Sequence, residues 1–301
     1  MANFTAADVK ALREQTGAGM MDVKKALTEA DGDAEKALEI IRLKGLKSLS
    51  KREGRQASAG LLAAQTDGTV GVLVEVNSET DFVAKNQKFI DFSNEVLAAA
   101  VASGAADLDA LLAAPMGEGT VKDRLDAFAA IIGEKLQVGR IVRVEGENVD
   151  LYLHQTNPDL PPQVGVFVVT DAAGKSVAHD IAMHVAAYMP AYLDRDSVPA
   201  DVLDKERATL EKITLEEGKP ANIVPKIVEG RLNAFFKDNC LVDQAFARDP
   251  SKSVGQVLKE AGAKVTNFVR VHVGAWSGDV VSLLTKESGP AQRRGRFPFT
   301  R

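Results

Sequence analysis

Gly71-Val72-Leu73-Val74-Glu75-Val76 is a short apolar run behind the turn signal Asp67-Gly68. The same form returns as Gly165-Val166-Phe167-Val168-Val169-Thr170, behind Pro161-Pro162. Valine-rich runs of this length, bounded by turn residues, predict β-strands. Each is followed by an alanine-rich helical pattern, over residues 89–101 and 177–189. A second echo joins residues 138–145 to 265–272, which share Val-Arg-Val at Val142-Arg143-Val144 and Val269-Arg270-Val271. Repetition of a hairpin-and-helix unit predicts an α+β core of two related subdomains, over residues 57–146 and 147–275. Chance similarity between valine-rich strands is the competing reading.

Working outward, the N-terminal residues 1–46 read as three short helices. Thr5 and Asp8 have the form of a capping box, and Val9 and Leu12 follow at helical spacing. Gly17 and Gly19 interrupt the pattern, Met20 restarts it, and Asp31-Gly32 stops it again. Asp33 caps a third helix carrying Ala37, Leu38, Ile41 and Leu43, expected to end near Gly45. Such a bundle has a core of marginal size. Residues 47–56, with Lys47, Lys51, Arg52 and Arg55 against Glu53, read as a basic linker, a solvated connector rather than a nucleic-acid contact. Within the second unit, residues 199–236 carry two amphipathic patterns broken by Gly218-Lys219-Pro220. Leu203, Leu210 and Ile213 line one, and Ile223, Ile227, Val228 and Leu232 line the other. This predicts an antiparallel helical hairpin, either flat on the core or protruding as an arm. Residues 276–301 lose all periodicity. Arg293, Arg294, Arg296 and Arg301 alternate there with Phe297 and Phe299, the pattern of a flexible basic tail, with contact to RNA or an acidic partner as the alternative.

Composition narrows the function. The chain has 301 residues, a net charge of −5 and a hydrophobic fraction of 45% with aromatics at only 5%. An acidic chain makes strong phosphate-backbone binding unexpected. The single cysteine, Cys240, allows no internal disulfide and fits a reducing compartment. No apolar run approaches the ~20 residues needed to span a bilayer, and Met1-Ala2-Asn3-Phe4 does not open a signal peptide. A cytoplasmic protein without a membrane partner is expected. No Walker A, dinucleotide-binding or nucleophile-elbow pattern is present. His179 and His184 stand at i and i+5, not the i and i+4 that would place two ligands on one helical face. His184 reads as packed or at an interface, and Cys240 as a structural thiol. These readings favour a binding protein over an enzyme, with no cofactor and no metal.

Two stretches are candidates for the binding surface. In Arg13-Glu14-Gln15-Thr16-Gly17-Ala18-Gly19-Met20-Met21-Asp22, two adjacent methionines stand at a glycine turn. Adjacent residues do not share a helical face, so one methionine is expected inside and one outside, unless the core absorbs both. Exposed methionine suits an adaptable contact. In Glu75-Val76-Asn77-Ser78-Glu79-Thr80-Asp81-Phe82-Val83-Ala84-Lys85-Asn86, a strand ends, a polar turn follows, and Phe82 stands beside Asp81. The residues alone leave Phe82 open between an inward staple and an exposed tip.

Together the motifs Thr16-Gly17-Ala18-Gly19-Met20-Met21, Thr80-Asp81-Phe82-Val83-Ala84-Lys85, Ile181-Ala182-Met183-His184, Lys226-Ile227-Val228-Glu229-Gly230-Arg231, Ser253-Val254-Gly255-Gln256-Val257-Leu258 and Phe268-Val269-Arg270, in this order, resemble the elongation factor Ts family. The departures are Ser78-Glu79, where relatives often carry Cys-Gln or Cys-Glu, and the tail beyond Trp276. The resemblance implies a ubiquitin-associated-like N-terminal bundle, two related core subdomains and a projecting hairpin. It implies guanine-nucleotide exchange on elongation factor Tu, in its GDP-bound and nucleotide-free forms, within a one-to-one or two-to-two assembly. It also implies that Thr80, Asp81, Phe82 and Val83 form a tip that enters the partner's nucleotide domain. Leu12, Met20 and Met21 would grip the same domain, and His184 would brace another part of the partner.

Overall fold

The computed structural model describes residues 3–16, 18–49 and 52–275. Gly17, Ser50, Lys51 and the tail expected over 276–301 lie outside the described residues. The N-terminal helices are α1 (Ala6–Thr16), α2 (Met20–Glu29) and α3 (Ala34–Leu49). The capping box forms: Thr5 N–H donates to Asp8 Oδ2 at 2.7 Å, and Asp8 N–H donates to Thr5 Oγ1 at 3.3 Å. Leu12, Val23, Ala26, Leu27, Ala37 and Ile41 close the bundle core. Leu43, expected inside, is exposed.

Helix α3 does not stop at Gly45. It runs to Leu49, so the expected linker begins inside a helix. Gly45 is instead a contact residue, because a Cβ there would lie 2.1 Å from the carbonyl oxygen of Ala130. Its missing side chain lets α3 approach the core.

That core repeats a unit. The first contains β1 (Ala59–Thr66), β2 (Val70–Ser78), α4 (Asp81–Ala84), α5 (Gln87–Ser103), α6 (Leu108–Ala113), β3 (Pro115–Met116), β4 (Gly119–Thr120), α7 (Val121–Ile132) and β5 (Gln137–Glu145). The second contains β6 (Asn148–His154), β7 (Val164–Thr170), α8 (Ala178–Tyr188), α9 (Ala200–Glu216), α10 (Val224–Asn239), β8 (Ala245–Phe246), β9 (Asp249–Ser253), α11 (Val254–Glu260) and β10 (Val265–His272). The antiparallel sheets have orders β1-β2-β5 and β10-β7-β6, so the strand of each first echo, β2 and β7, is central. The Val-Arg-Val strands β5 and β10 take equivalent edges. Equivalent capping boxes open the last helix of each unit, Thr120 with Asp123 and Ser253 with Gln256.

The echo runs are continuous rather than alternating because both faces of each central strand are buried. Val72, Val74 and Val76 pack under α5 and α7, while Leu73 faces the other sheet. Val166 and Val168 pack under α8, while Phe167 and Val169 face back. The glycine heading each run is the socket for the other. A Cβ on Gly71 would lie 2.5 Å from Phe167, and one on Gly165 would lie 2.6 Å from Leu73. The order of layers is therefore helix, sheet, sheet, helix.

The hairpin of α9 and α10 closes on Leu210, Val224, Val228, Leu232 and Phe236. Ile213 and Ile223, expected in the seam, are exposed. Only Thr214 of α9 is buried, so the hairpin protrudes as an arm rather than lying flat.

Candidate partner-binding tip

Strand β2 ends at Ser78, whose hydroxyl donates to the Thr80 carbonyl at 2.8 Å. Thr80 takes extended backbone angles and caps α4, accepting from the Val83 N–H at 3.5 Å. Asp81 occupies the first helical position, where a carboxylate is favoured by the helix dipole. Asn86 caps α5 in turn, accepting from Lys88 N–H at 2.9 Å.

One helical turn thereby sorts four neighbours by direction. Val83 packs partly into the first core and Ala84 is buried. Asp81 and Phe82 point out, and Phe82 is 73% exposed. The inward staple that the sequence left open is filled by Val83, not Phe82. The Lys85 ammonium lies 4.7 Å from the Phe82 ring centroid, a cation–π contact on the outer surface. The Asp81 carboxylate has no hydrogen bond or ion pair among the described residues.

The turn is braced from behind. Thr80 donates its N–H to Glu134 Oε2 at 3.1 Å and its hydroxyl to Glu134 Oε1 at 2.7 Å. Glu79 accepts from Lys135 N–H at 2.6 Å and from Arg55 at 3.1 Å. Sequence reading missed Glu134 and Lys135 and placed Arg55 in a solvated linker beside Glu53, because their true partners are remote along the chain and no local pattern marks them.

The other site residues fall in different environments. Met20 and Met21 are both exposed, 58% and 64%, against the expectation of one inside. The buried stripe of α2 begins only at Val23, so its first turn projects. Met20 borders a groove of about 660 Å³ with Phe4, Val9, Lys10, Arg13 and Lys24. Leu12, expected on the gripping surface, is buried in the bundle core and supports that surface from beneath. Lys88 at the start of α5 donates to the Glu14 carbonyl, which ties the end of α1 to the tip region.

His184 is fully buried, so as placed it supports a surface rather than forming one. Ala247 N–H donates to its Nδ1 at 3.2 Å, which puts the ring proton on Nε2, 2.9 Å from Gln244 Oε1. Burial lowers its pKa, opposed by the Gln244 hydrogen bond. Tyr188 stacks on it with ring centroids 4.7 Å apart, and Tyr188 and Met189 carry the exposed apolar surface there. Cys240 is buried and its thiol is pushed up to about 12, chiefly by burial, consistent with an inert structural role. Among the described residues no helix is long and apolar enough to cross a membrane.

A family model described as elongation factor TS matches residues 79–275. A protein of Beutenbergia cavernae described as elongation factor Ts is 62% identical over 281 residues, covering 91% of this chain and all of that relative. Proteins of Renibacterium salmoninarum and Micrococcus luteus with the same description are each 58% identical, again over 91% of this chain and their full lengths. Identity at this level over most of the chain, on a twinned α+β core with a capped tip and an arm, identifies the chain as a member of the elongation factor Ts family.

Proposed function

We propose that the protein is a guanine-nucleotide exchange factor that binds elongation factor Tu and accelerates GDP release during translation elongation in the cytoplasm. The observation that carries this reading is Phe82, a large apolar ring held 73% exposed on a capped helical turn, in a chain of this family. An aromatic this exposed adds little to folding, whereas aromatic anchors of this kind dominate interface energies.

GDP on a translational GTPase is held largely by phosphate contacts and a bridging magnesium ion. A tip that displaces the groups around them weakens nucleotide binding without a chemical step. By linkage, a factor that prefers the nucleotide-free partner lowers nucleotide affinity by the same coupling free energy. Phe82 acts as the wedge, Asp81 meets polar groups beside it, and Thr80 and Val83 hold the pair in place. Met20 and Met21 add a second, adaptable contact. Leu12 and His184 act beneath the contact surfaces.

The test is release of fluorescent GDP from elongation factor Tu, followed against excess unlabelled nucleotide, with and without the protein. Strong acceleration is expected. Unchanged release at saturating protein overturns the reading.

A further inference from the structure

We infer that Glu134 is a positioning residue for exchange: it clasps Thr80 and presets the turn that presents Asp81 and Phe82. The inference rests on the proposal that this tip acts on the partner. Backbone pairing between β2 and β5 ends at Asn77 and Gln137. Beyond that point two carboxylates continue the join. Glu79 reaches the Lys135 N–H, and Glu134 reaches back to Thr80. Both oxygens of Glu134 are used on one residue, Oε2 by the N–H at 3.1 Å and Oε1 by the hydroxyl at 2.7 Å. That double grip constrains the backbone and side chain of Thr80 together.

The hydroxyl has one proton. Because Glu134 takes it, a hydroxyl lone pair faces the Val83 N–H, and the cap of α4 is set. A helix of one turn does not hold itself, since nucleation is unfavourable. Its shape therefore depends on the clasp and on Val83 and Ala84 below. Glu134 directly follows Gly133, the cap of α7, and lies in the short bend between α7 and β5, so the clasp is held on both sides by core elements. Glu134 is half-buried while Phe82 is exposed, which suits support rather than contact.

When the competent turn is only partly populated, apparent affinity falls by that fraction. Glu134→Ala is expected to raise amide exchange at Val83 to Asn86 by about tenfold or more, with β2 protection unchanged. It is expected to raise the KM of stimulated GDP release about tenfold while largely sparing kcat. Glu134→Gln, which keeps one acceptor, gives an intermediate effect and covers the case in which the alanine variant folds poorly. In a Phe82→Ala background the Glu134 effect shrinks to within about twofold, because both act through one tip. Unchanged amide exchange at Val83 to Asn86 overturns the inference, as does an equal loss in both backgrounds. If Phe82→Ala leaves release untouched, the tip reading fails on its own account, while amide exchange still decides whether Glu134 holds the turn.

Discussion

Replacing Phe82 by alanine separates folding from partner chemistry. The ring is 73% exposed, so only a small covered remainder contributes to stability in the free protein. Truncating a fully buried phenylalanine costs about 3–5 kcal/mol, and scaling to this exposure leaves about 1 kcal/mol. Loss of the contact with Lys85 adds about 0.5 kcal/mol at an exposed site. A chain of this size then loses only a few degrees in Tm. In the complex the balance reverses. A desolvated aromatic anchor is worth about 2–4 kcal/mol on truncation, and at about 1.4 kcal/mol per decade this is roughly a 30- to 1000-fold loss in kcat/KM. Stopped-flow release of fluorescent GDP gives the rate, and calorimetric unfolding of the free variant gives the stability. Release within about threefold of wild type, with the complex still forming, refutes the wedge. A fall in Tm beyond about 10 °C restores the staple reading instead.

Other expectations concern the framework behind the tip. Gly45→Ala destabilises and loosens the docking of α3, since its Cβ would meet the Ala130 carbonyl, whereas Gly230→Ala, in open space on α10, stabilises by about 0.5–1 kcal/mol; paired melting curves check the opposite signs. Glu75 is buried and its Oε2 lies 2.5 Å from Arg140 Nε. Arg140→Met is therefore expected to cost about 3–5 kcal/mol, with recovery when Glu75→Gln is added, as read by denaturant unfolding. His184 has a lowered pKa in the folded state, so the unfolded chain takes up its proton first. Its contribution to stability is full above about pH 6.5 and is lost as pH falls below that value toward the depressed native pKa. A proton on Nδ1 would also face the Ala247 donor. Denaturant midpoints measured from pH 8 to pH 5 fall for the wild type, and His184→Gln shows a shallower dependence.

Much of the architecture is legible in the sequence because its signals are local. The capping box at Thr5 acts within three residues and forms as expected, and the caps at Thr80, Thr120 and Ser253, found only in the structure, act over the same short span. The echo at Gly71 and Gly165 marks equivalent central strands, and the two Val-Arg-Val segments mark equivalent edges. Gly45 was misread because a glycine in a helical pattern signals a stop or a close contact, and sequence spacing does not separate the two. Ile213 and Ile223 were misassigned for a related reason: apolar spacing shows a helix but not which partner covers each face.

By itself the sequence determined the N-terminal helices, the central and Val-Arg-Val strands, the helices that follow the central strands, the helical hairpin, the internal repeat, the turn at Thr80 to Val83 and the family, but not the outer strands at 59–66 and 148–154 or the helices at 108–113, 121–132 and 254–260. Each feature so determined is encoded in residues close together along the chain, or in motifs whose order survives without coordinates. Tertiary structure alone decided which of Phe82 and Val83 points outward, that both Met20 and Met21 are exposed, and that Leu12 and His184 are buried. It also paired Gly71 with Phe167 and Gly165 with Leu73, and brought Glu134 to Thr80. These outcomes depend on what arrives from distant parts of the chain. Burial of a side chain is a property of its neighbours in space, and a carboxylate finds its donors only after the sheets and helices have packed.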